Sequence, residues 1–271
     1  MGSSAPEPLA EAGVALLRAH GFEISTWATL STSSRAVISL EPGAWVAKIA
    51  PREAQENMAR ELAIAGHCAA AGAPVVAPSA DFSLLCGENA VVSLWPRAGI
   101  VGEPSSADVC AAYRALRLAL DSFPEPLPDF RIGLNGAGEL LARSVTPLLT
   151  AGERELLDET LNEAMAALAS KQWRAHALHG DAHTGNVLFT EAGLRWIDFE
   201  VACSGPVEWD LSALPAECAE IEHDAVLLDV CRRMRSAGVV IWCASKDSPG
   251  DAERAAIGDH LAALRGSGKN A

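Results

Sequence analysis

His179-Gly180-Asp181-Ala182-His183-Thr184-Gly185-Asn186, followed by Ile197-Asp198-Phe199-Glu200, decides how the chain is read. Asp181 and Asp198, the Asn186 amide and two imidazoles fall within about twenty residues. Between Asn186 and Asp198 stand Val187-Leu188-Phe189-Thr190, the turn Glu191-Ala192-Gly193, and Leu194-Arg195-Trp196-Ile197. Two short apolar runs around a Gly-containing turn predict a β-hairpin. Pairing Thr190 with Leu194 sets Asn186 opposite Asp198, and cross-strand Cβ atoms lie roughly 5 Å apart. An amide oxygen and a carboxylate would then share one polar pocket, and both are hard oxygen donors of the kind Mg²⁺ prefers. Asp181 enters the same hairpin five residues before Asn186, free to act as a base.

The spacing H-x-D-x-x-x-x-N with a later metal-binding Asp is that of a kinase catalytic loop. The version here, Leu178-His179-Gly180-Asp181 through Asn186-Val187-Leu188 with Ile197-Asp198-Phe199-Glu200, resembles the aminoglycoside phosphotransferase and choline kinase-like small-molecule kinases. Gly205-Pro206-Val207-Glu208-Trp209-Asp210-Leu211 resembles the segment that follows in bacterial members. The resemblance covers the second half closely and the first half more loosely. It implies an α+β, protein-kinase-like two-lobe fold: a small five-stranded antiparallel N-lobe with one main helix, and a larger, mostly helical C-lobe. It also implies ATP as donor, with GTP an open alternative, and Mg²⁺ held by Asn186 and Asp198, with Asp181 as catalytic base.

The chain before the motif supports a β-rich lobe. A short helix over 9–20 ends at Gly21, and strands are expected at Phe22–Leu30, Arg35–Leu40 and Ala44–Ala50 around Glu41-Pro42-Gly43. A helix over 53–71 stops at Gly72, and two further strands lie near 81–86 and 90–94. After Trp95-Pro96 the texture turns helical, with a linker at Val101–Ser106 and helices over 107–122, 152–171, 223–237 and 251–265. The Pro-rich run from Phe123 to Pro128 forces an extended connection. These patterns divide the chain into 1–95, a nucleotide-binding lobe, and 96–271, a catalytic and substrate-binding lobe with a cleft between them.

Lys48 interrupts the apolar run Trp45-Val46-Ala47-Lys48-Ile49-Ala50, where a lysine must snorkel, pair with an acid or meet an anion. The kinase resemblance makes it the phosphate-gripping lysine and makes Glu61 its helix partner, with Glu53 and Glu56 as substitutes. Ser31-Thr32-Ser33-Ser34 occupies the place of a phosphate-covering loop. No glycine-rich G-x-G-x-x-G is present, so Ser33 and Ser34 would cradle phosphate with hydroxyls and backbone N–H groups. Ser93-Leu94-Trp95-Pro96 falls at the hinge that would meet adenine, which makes Ser93 and Trp95 cofactor-side residues by position.

A formal charge of −14 argues against a nucleic-acid-binding surface, and solubility alone accounts for it. Seven scattered cysteines without a C-x-x-C pair read as reduced thiols in a cytoplasmic protein. No membrane-length apolar run or signal peptide is read, and the chain is expected to be a monomer or homodimer. The acceptor is expected to be a small hydroxylated molecule, with an aminoglycoside or other cationic antibiotic as the leading reading. The basis is the acidic run Glu208, Asp210, Glu217, Glu220, Glu222 and Asp224, which reads equally well as a solvated face. A metabolite alcohol of the choline or homoserine kind is the alternative acceptor. A metal hydrolase built on His179-x-Asp181-x-His183 would leave Lys48 and Asn186 without a role, and a nucleotide-binding pseudokinase would have no need to keep all four polar residues.

Overall fold

The strands near the N-terminus build a sheet covered by a helix on each face, so that the strand Ala90–Pro96 is buried on both sides along nearly its whole length. The computed structural model describes residues 6–32, 35–79, 84–143, 146–246 and 248–267. Backbone packing divides the chain into two units, Met1–Pro124 with Thr184–Ala202, and Glu125–His183 with Cys203–Ala271. In the first, α1 (Pro6–Ala19) precedes β1 (Thr26–Thr32), β2 (Ala36–Glu41) and β3 (Trp45–Pro51). Then come α2 (Gln55–Ala70), β4 (Leu85–Cys86) and β5 (Ala90–Pro96). The five strands form one antiparallel sheet in the order β1-β2-β3-β5-β4.

Successive strand residues face opposite sides. Ala47 and Ile49 of β3 therefore join Ile38, Val92 and Leu94 under Val14 and Leu17 of α1. On the other face, Ala50 and Val91 pack against Met58 of α2. Gly13 lets α1 lie this close, since a Cβ there would collide with the Ile49 side chain. The sequence marks α1 as a helix without showing that it covers half the sheet. Part of the strand expected near 81–86 lies outside the described residues.

Still within the first unit, β6 (Ile100–Gly102) forms where a linker was expected, and α3 (Ser106–Leu120) follows. A capping box starts α3: Ser105 Oγ accepts from Asp108 N at 3.2 Å, and Asp108 accepts in return from Ser105 N at 3.4 Å. The chain then enters the second unit with α4 (Arg131–Ala142), α5 (Ala151–Ser170) and β7 (His176–Leu178). It returns to the first unit for β8 (Val187–Thr190) and β9 (Gly193–Trp196), which make a three-stranded sheet with β6. Tyr113 of α3 meets Trp196 edge-on at 6.1 Å, and both are fully buried.

The rest of the second unit is β10 (Cys203–Gly205), α6 (Val207–Leu211), α7 (Ala225–Ala244) and α8 (Asp251–Ser267). β7 and β10 pair antiparallel. α7 is central and packs on α4, α5, α6 and α8, with Met234 and Ile241 among Leu134, Leu157 and Leu168. Asp224 caps it by accepting from Val226 N at 2.8 Å and Leu227 N at 3.0 Å. Among the described residues, no helix is long and apolar enough to cross a membrane.

Candidate active site

Lys48 sits mid-sheet, opposite Val37 of β2 and Ser93 of β5. Strand alternation turns it toward the α2 face, the side opposite Ala47 and Ile49. Glu61 presents a fully buried carboxylate there from α2. A buried carboxylate must be paired, and this one is paired twice. Lys48 Nζ donates to Oε1, and Arg35 Nη1 donates to Oε2 at 2.8 Å. Each cation holds a second acid: Lys48 Nζ reaches Asp198 Oδ1 at 2.9 Å, and Arg35 Nη2 pairs with Glu200. Two cations face three carboxylates, so the network carries one formal negative charge. Trp95 places its ring 5.3 Å from Lys48 Nζ and donates from Nε1 to buried Ser93 Oγ at 2.9 Å. Both residues thus surround the lysine through their side chains. Glu53 and Glu56 are exposed, so Glu61 is the partner. Ser33 and Ser34 lie outside the described residues.

The hairpin exists, but one residue out of the expected register. Thr190 pairs with Gly193 and Val187 with Trp196, so the turn is the two residues Glu191-Ala192. Asn186 consequently faces Ile197, whose N–H donates to the Asn186 carbonyl at 3.0 Å. Asp198 follows with φ 69°, the single described non-glycine residue in the left-handed region. This ends the strand alternation, so pairing register no longer sets the direction of the Asp198 side chain. Its contact with Lys48 does. Asn186 is buried, while the Asp198 side chain keeps about a third of its surface open. Among the described residues, no three His, Cys, Asp or Glu gather as a metal cluster.

In the second unit, the loop His179-Gly180-Asp181 is held from below by a buried acid. Asp210 of α6 accepts from the backbone N–H groups of His179 and Gly180, both at 2.9 Å. Gly180 has φ 86°, a conformation that costs a glycine little and lets successive N–H groups converge. Burial pushes the Asp210 carboxyl up, against the pull of His179, the two N–H donors and Arg235. Arg235 of α7 supplies the rest of the frame. It donates to Ser212 Oγ at 2.8 Å, Trp209 O at 2.9 Å, Gly180 O at 3.1 Å and Asp181 Oδ1 at 3.3 Å. Its guanidinium stacks 4.1 Å from the Trp209 ring centre. His183 Nε2 lies 3.3 Å from the other Asp181 oxygen. Burial alone would raise the Asp181 carboxyl. The hydrogen bond and charge of His183, with Arg235 and His179 adding, outweigh it and hold the group at about 2.

The model of the phosphotransferase enzyme family matches residues 26–235, from β1 into α7. The chain belongs to that family. It is a small-molecule phosphotransferase with a kinase-like fold. No curated protein matches it in sequence. Among solved structures it is similar to an amicoumacin kinase in complex with AMP-PNP, Ca²⁺ and Ami, with TM-score 0.73, 13% identity, and 96% of this chain and 95% of the other covered. The GDP complex of aminoglycoside 2′-phosphotransferase-IIIa gives 0.62 at 18% identity over 97% and 98%. A choline/ethanolamine kinase family protein from Mesorhizobium loti gives 0.58 at 17% identity over 94% of each. Identities this low speak for the fold alone.

In this phosphotransferase the acidic run from Glu208 to Asp224 leaves fewer open carboxylates than its sequence suggests. Glu208 and Asp210 are buried and accept backbone hydrogen bonds, Glu208 from Asp224 N at 2.7 Å. Asp224 caps α7 and pairs with Lys171 at 2.8 Å. Glu217, Glu220 and Glu222 remain as exposed acids. The expectation of reduced thiols holds at Cys68, Cys86, Cys231 and Cys243 and does not extend to Cys110 and Cys218. Arg35 and Arg235 were not singled out from the sequence. Arg35 was within reach of reasoning, because it lies two residues before Val37, the partner of Lys48, and so shares its face.

Proposed function

We propose that the protein transfers the γ-phosphoryl group of ATP, with Mg²⁺, to a hydroxyl of a small cationic molecule such as an aminoglycoside or related antibiotic. The observation that carries this reading is Lys48 bridging buried Glu61 and the half-open Asp198. A lysine held this way presents fixed positive charge to an anionic ligand without side-chain freedom to lose on binding. Asn186 and Asp198 fit a divalent cation: one amide and one carboxylate, both hard oxygen donors. Mg²⁺ commonly takes only one or two protein carboxylates and completes its shell with phosphates and water. The ion would supply charge neutralisation to the phosphates.

Asp181 would accept a hydrogen bond from the acceptor hydroxyl and aim it. With a carboxyl at about 2 it is a very weak base, so alignment carries more of its effect than proton removal. Arg235 and His183 fix its two oxygens, and Asp210 fixes the backbone beneath it. Exposed Glu217, Glu220 and Glu222 support a cationic acceptor, as does the likeness to antibiotic kinases. A nucleoside triphosphate donor supports a cytoplasmic site of action.

The test is a screen for Mg·ATP-dependent phosphorylation across aminoglycosides, other cationic antibiotics, and choline- and homoserine-like alcohols. Product mass and position should identify a phosphate ester on a cationic substrate. Selective turnover of a neutral alcohol would overturn the acceptor class. On the true acceptor, Asp181→Asn should lower kcat by about 10²–10⁴-fold. Near-normal turnover would remove Asp181 from its proposed role.

A further inference from the structure

Glu61 has two carboxylate oxygens, and Lys48 of β3 and Arg35, the residue just before β2, take one each. Their second partners, Asp198 and Glu200, stand two residues apart on one segment. The 198–200 segment is therefore moored to a single buried carboxylate by two parallel ion-pair bridges. The two bridges differ in what the proposed reaction asks of them. Lys48 and Asp198 are both required elsewhere once nucleotide arrives, one by phosphate and the other by the metal ion. Neither can then keep its full hold on the other. Arg35 and Glu200 face no such competing demand. The Arg35 side chain is only 9% exposed, and its planar fork engages two carboxylates at once.

We propose that Arg35 and Glu200 are positioning residues whose bridge keeps Asp198 in register with Glu61 and Lys48 while the nucleotide is bound. The inference rests on the proposed role of Asp198 as a metal ligand. The backbone supplies a second reason for a restraint at this place. Asp198 adopts φ 69°, a conformation that persists in a non-glycine residue where its surroundings impose it. Glu200, anchored two residues on, imposes it from the C-terminal side, as Lys48 does at Asp198 itself.

The experiment measures AMP-PNP binding by calorimetry with and without Mg²⁺ for the wild type, Glu200→Gln, Arg35→Lys and the double variant. Arg35→Lys leaves a cation for Glu61 but lacks the fork, so the buried acid stays paired. Each single variant should weaken binding with Mg²⁺ about 10-fold, the scale of one charge-assisted bridge. Metal-free binding should stay within about 2-fold, because Lys48 and Glu61 are untouched. The double variant should be no worse than the weaker single, since both substitutions break one bridge. Amide exchange over 199–202 should quicken in all three variants without ligand. Equal losses with and without Mg²⁺ would overturn the proposal, since Arg35 would then touch phosphate. A loss in Glu200→Gln alone would also overturn it, because Glu200 would then meet the metal itself. A wild type indifferent to Mg²⁺ would overturn the function reading and this inference together. A responsive wild type with unshifted variants overturns the inference alone.

Discussion

The polar network around Glu61 and the one beneath the His179–Asp181 loop are both built from charged side chains but bonded differently. Around Glu61 the bonds run from side chain to side chain: Lys48 and Arg35 share three carboxylates. Around Asp210 and Arg235 most run from side chain to backbone: His179 N, Gly180 N, Gly180 O and Trp209 O. Side-chain ion pairs can be exchanged for a ligand's charges at little conformational cost. Bonds to backbone fix a loop's shape and cannot be traded without unfolding it. The first arrangement suits a group that must change partners during a reaction, and the second suits one that must not move.

Substitutions can break that comparison, and the largest effect is expected in the second network. Asp210→Ala leaves two buried N–H groups unpaired and removes a counter-ion from Arg235, and should cost about 3–5 kcal/mol of stability in urea unfolding. Asp198→Ala should do the reverse: phosphoryl transfer falls about 10²–10³-fold while stability moves by about 1 kcal/mol or less. Similar stability losses for the two variants would erase the distinction drawn above. Arg235→Lys keeps a charge but loses the fork, and should lower kcat about 10-fold with KM for nucleotide unchanged. A rise in nucleotide KM instead would place Arg235 on the wrong side of the comparison.

The smallest effect is in pH. Asp181 titrates at about 2 in the fold and near 3.9 when unfolded. Its contribution to stability is therefore full above about pH 4 and is lost as pH falls toward 2. Asp210, raised by burial, has the opposite sign: its protonated form is favoured by folding, and that contribution fades as pH rises through its folded pKa. The stability gap between wild type and Asp181→Asn, measured by urea unfolding, should thus narrow below pH 4. A gap that is constant down to pH 2.5 would contradict the depressed carboxyl.

Lys48 was legible because one lysine in an alternating apolar strand has few innocent explanations. Glu61 followed from the family resemblance, which left Glu53 and Glu56 on the same helix open, and the five-stranded sheet from turn residues between β-prone runs. The hairpin register was not legible, because Glu191-Ala192-Gly193 reads equally as a three-residue turn or as two residues with Gly193 already paired. One residue of slip reverses every facing. α4 escaped notice because three glycines in twelve residues weaken its helical signal, although Leu134, Ala137 and Leu141 bury one face. Arg235 stands 54 residues beyond Asp181, and nothing local in an amphipathic helix marks which arginine turns inward. Its role belongs to tertiary packing.

The first unit is made of two stretches of chain, Met1–Pro124 and Thr184–Ala202, with the whole of Glu125–His183 synthesised between them. During translation β6 has no partner until β8 emerges, and the α3 face that covers Trp196 stays bare until then. At about 5–20 residues per second, the wait from Gly102 to Val187 lasts roughly 4–17 s. An unpaired strand edge and an open apolar face are the surfaces by which nascent chains misassociate. The fold that brings Asp198 back to Lys48 therefore leaves the edge of β6 and the apolar face of α3 uncovered on the growing chain until the residues past Trp196 have left the ribosome.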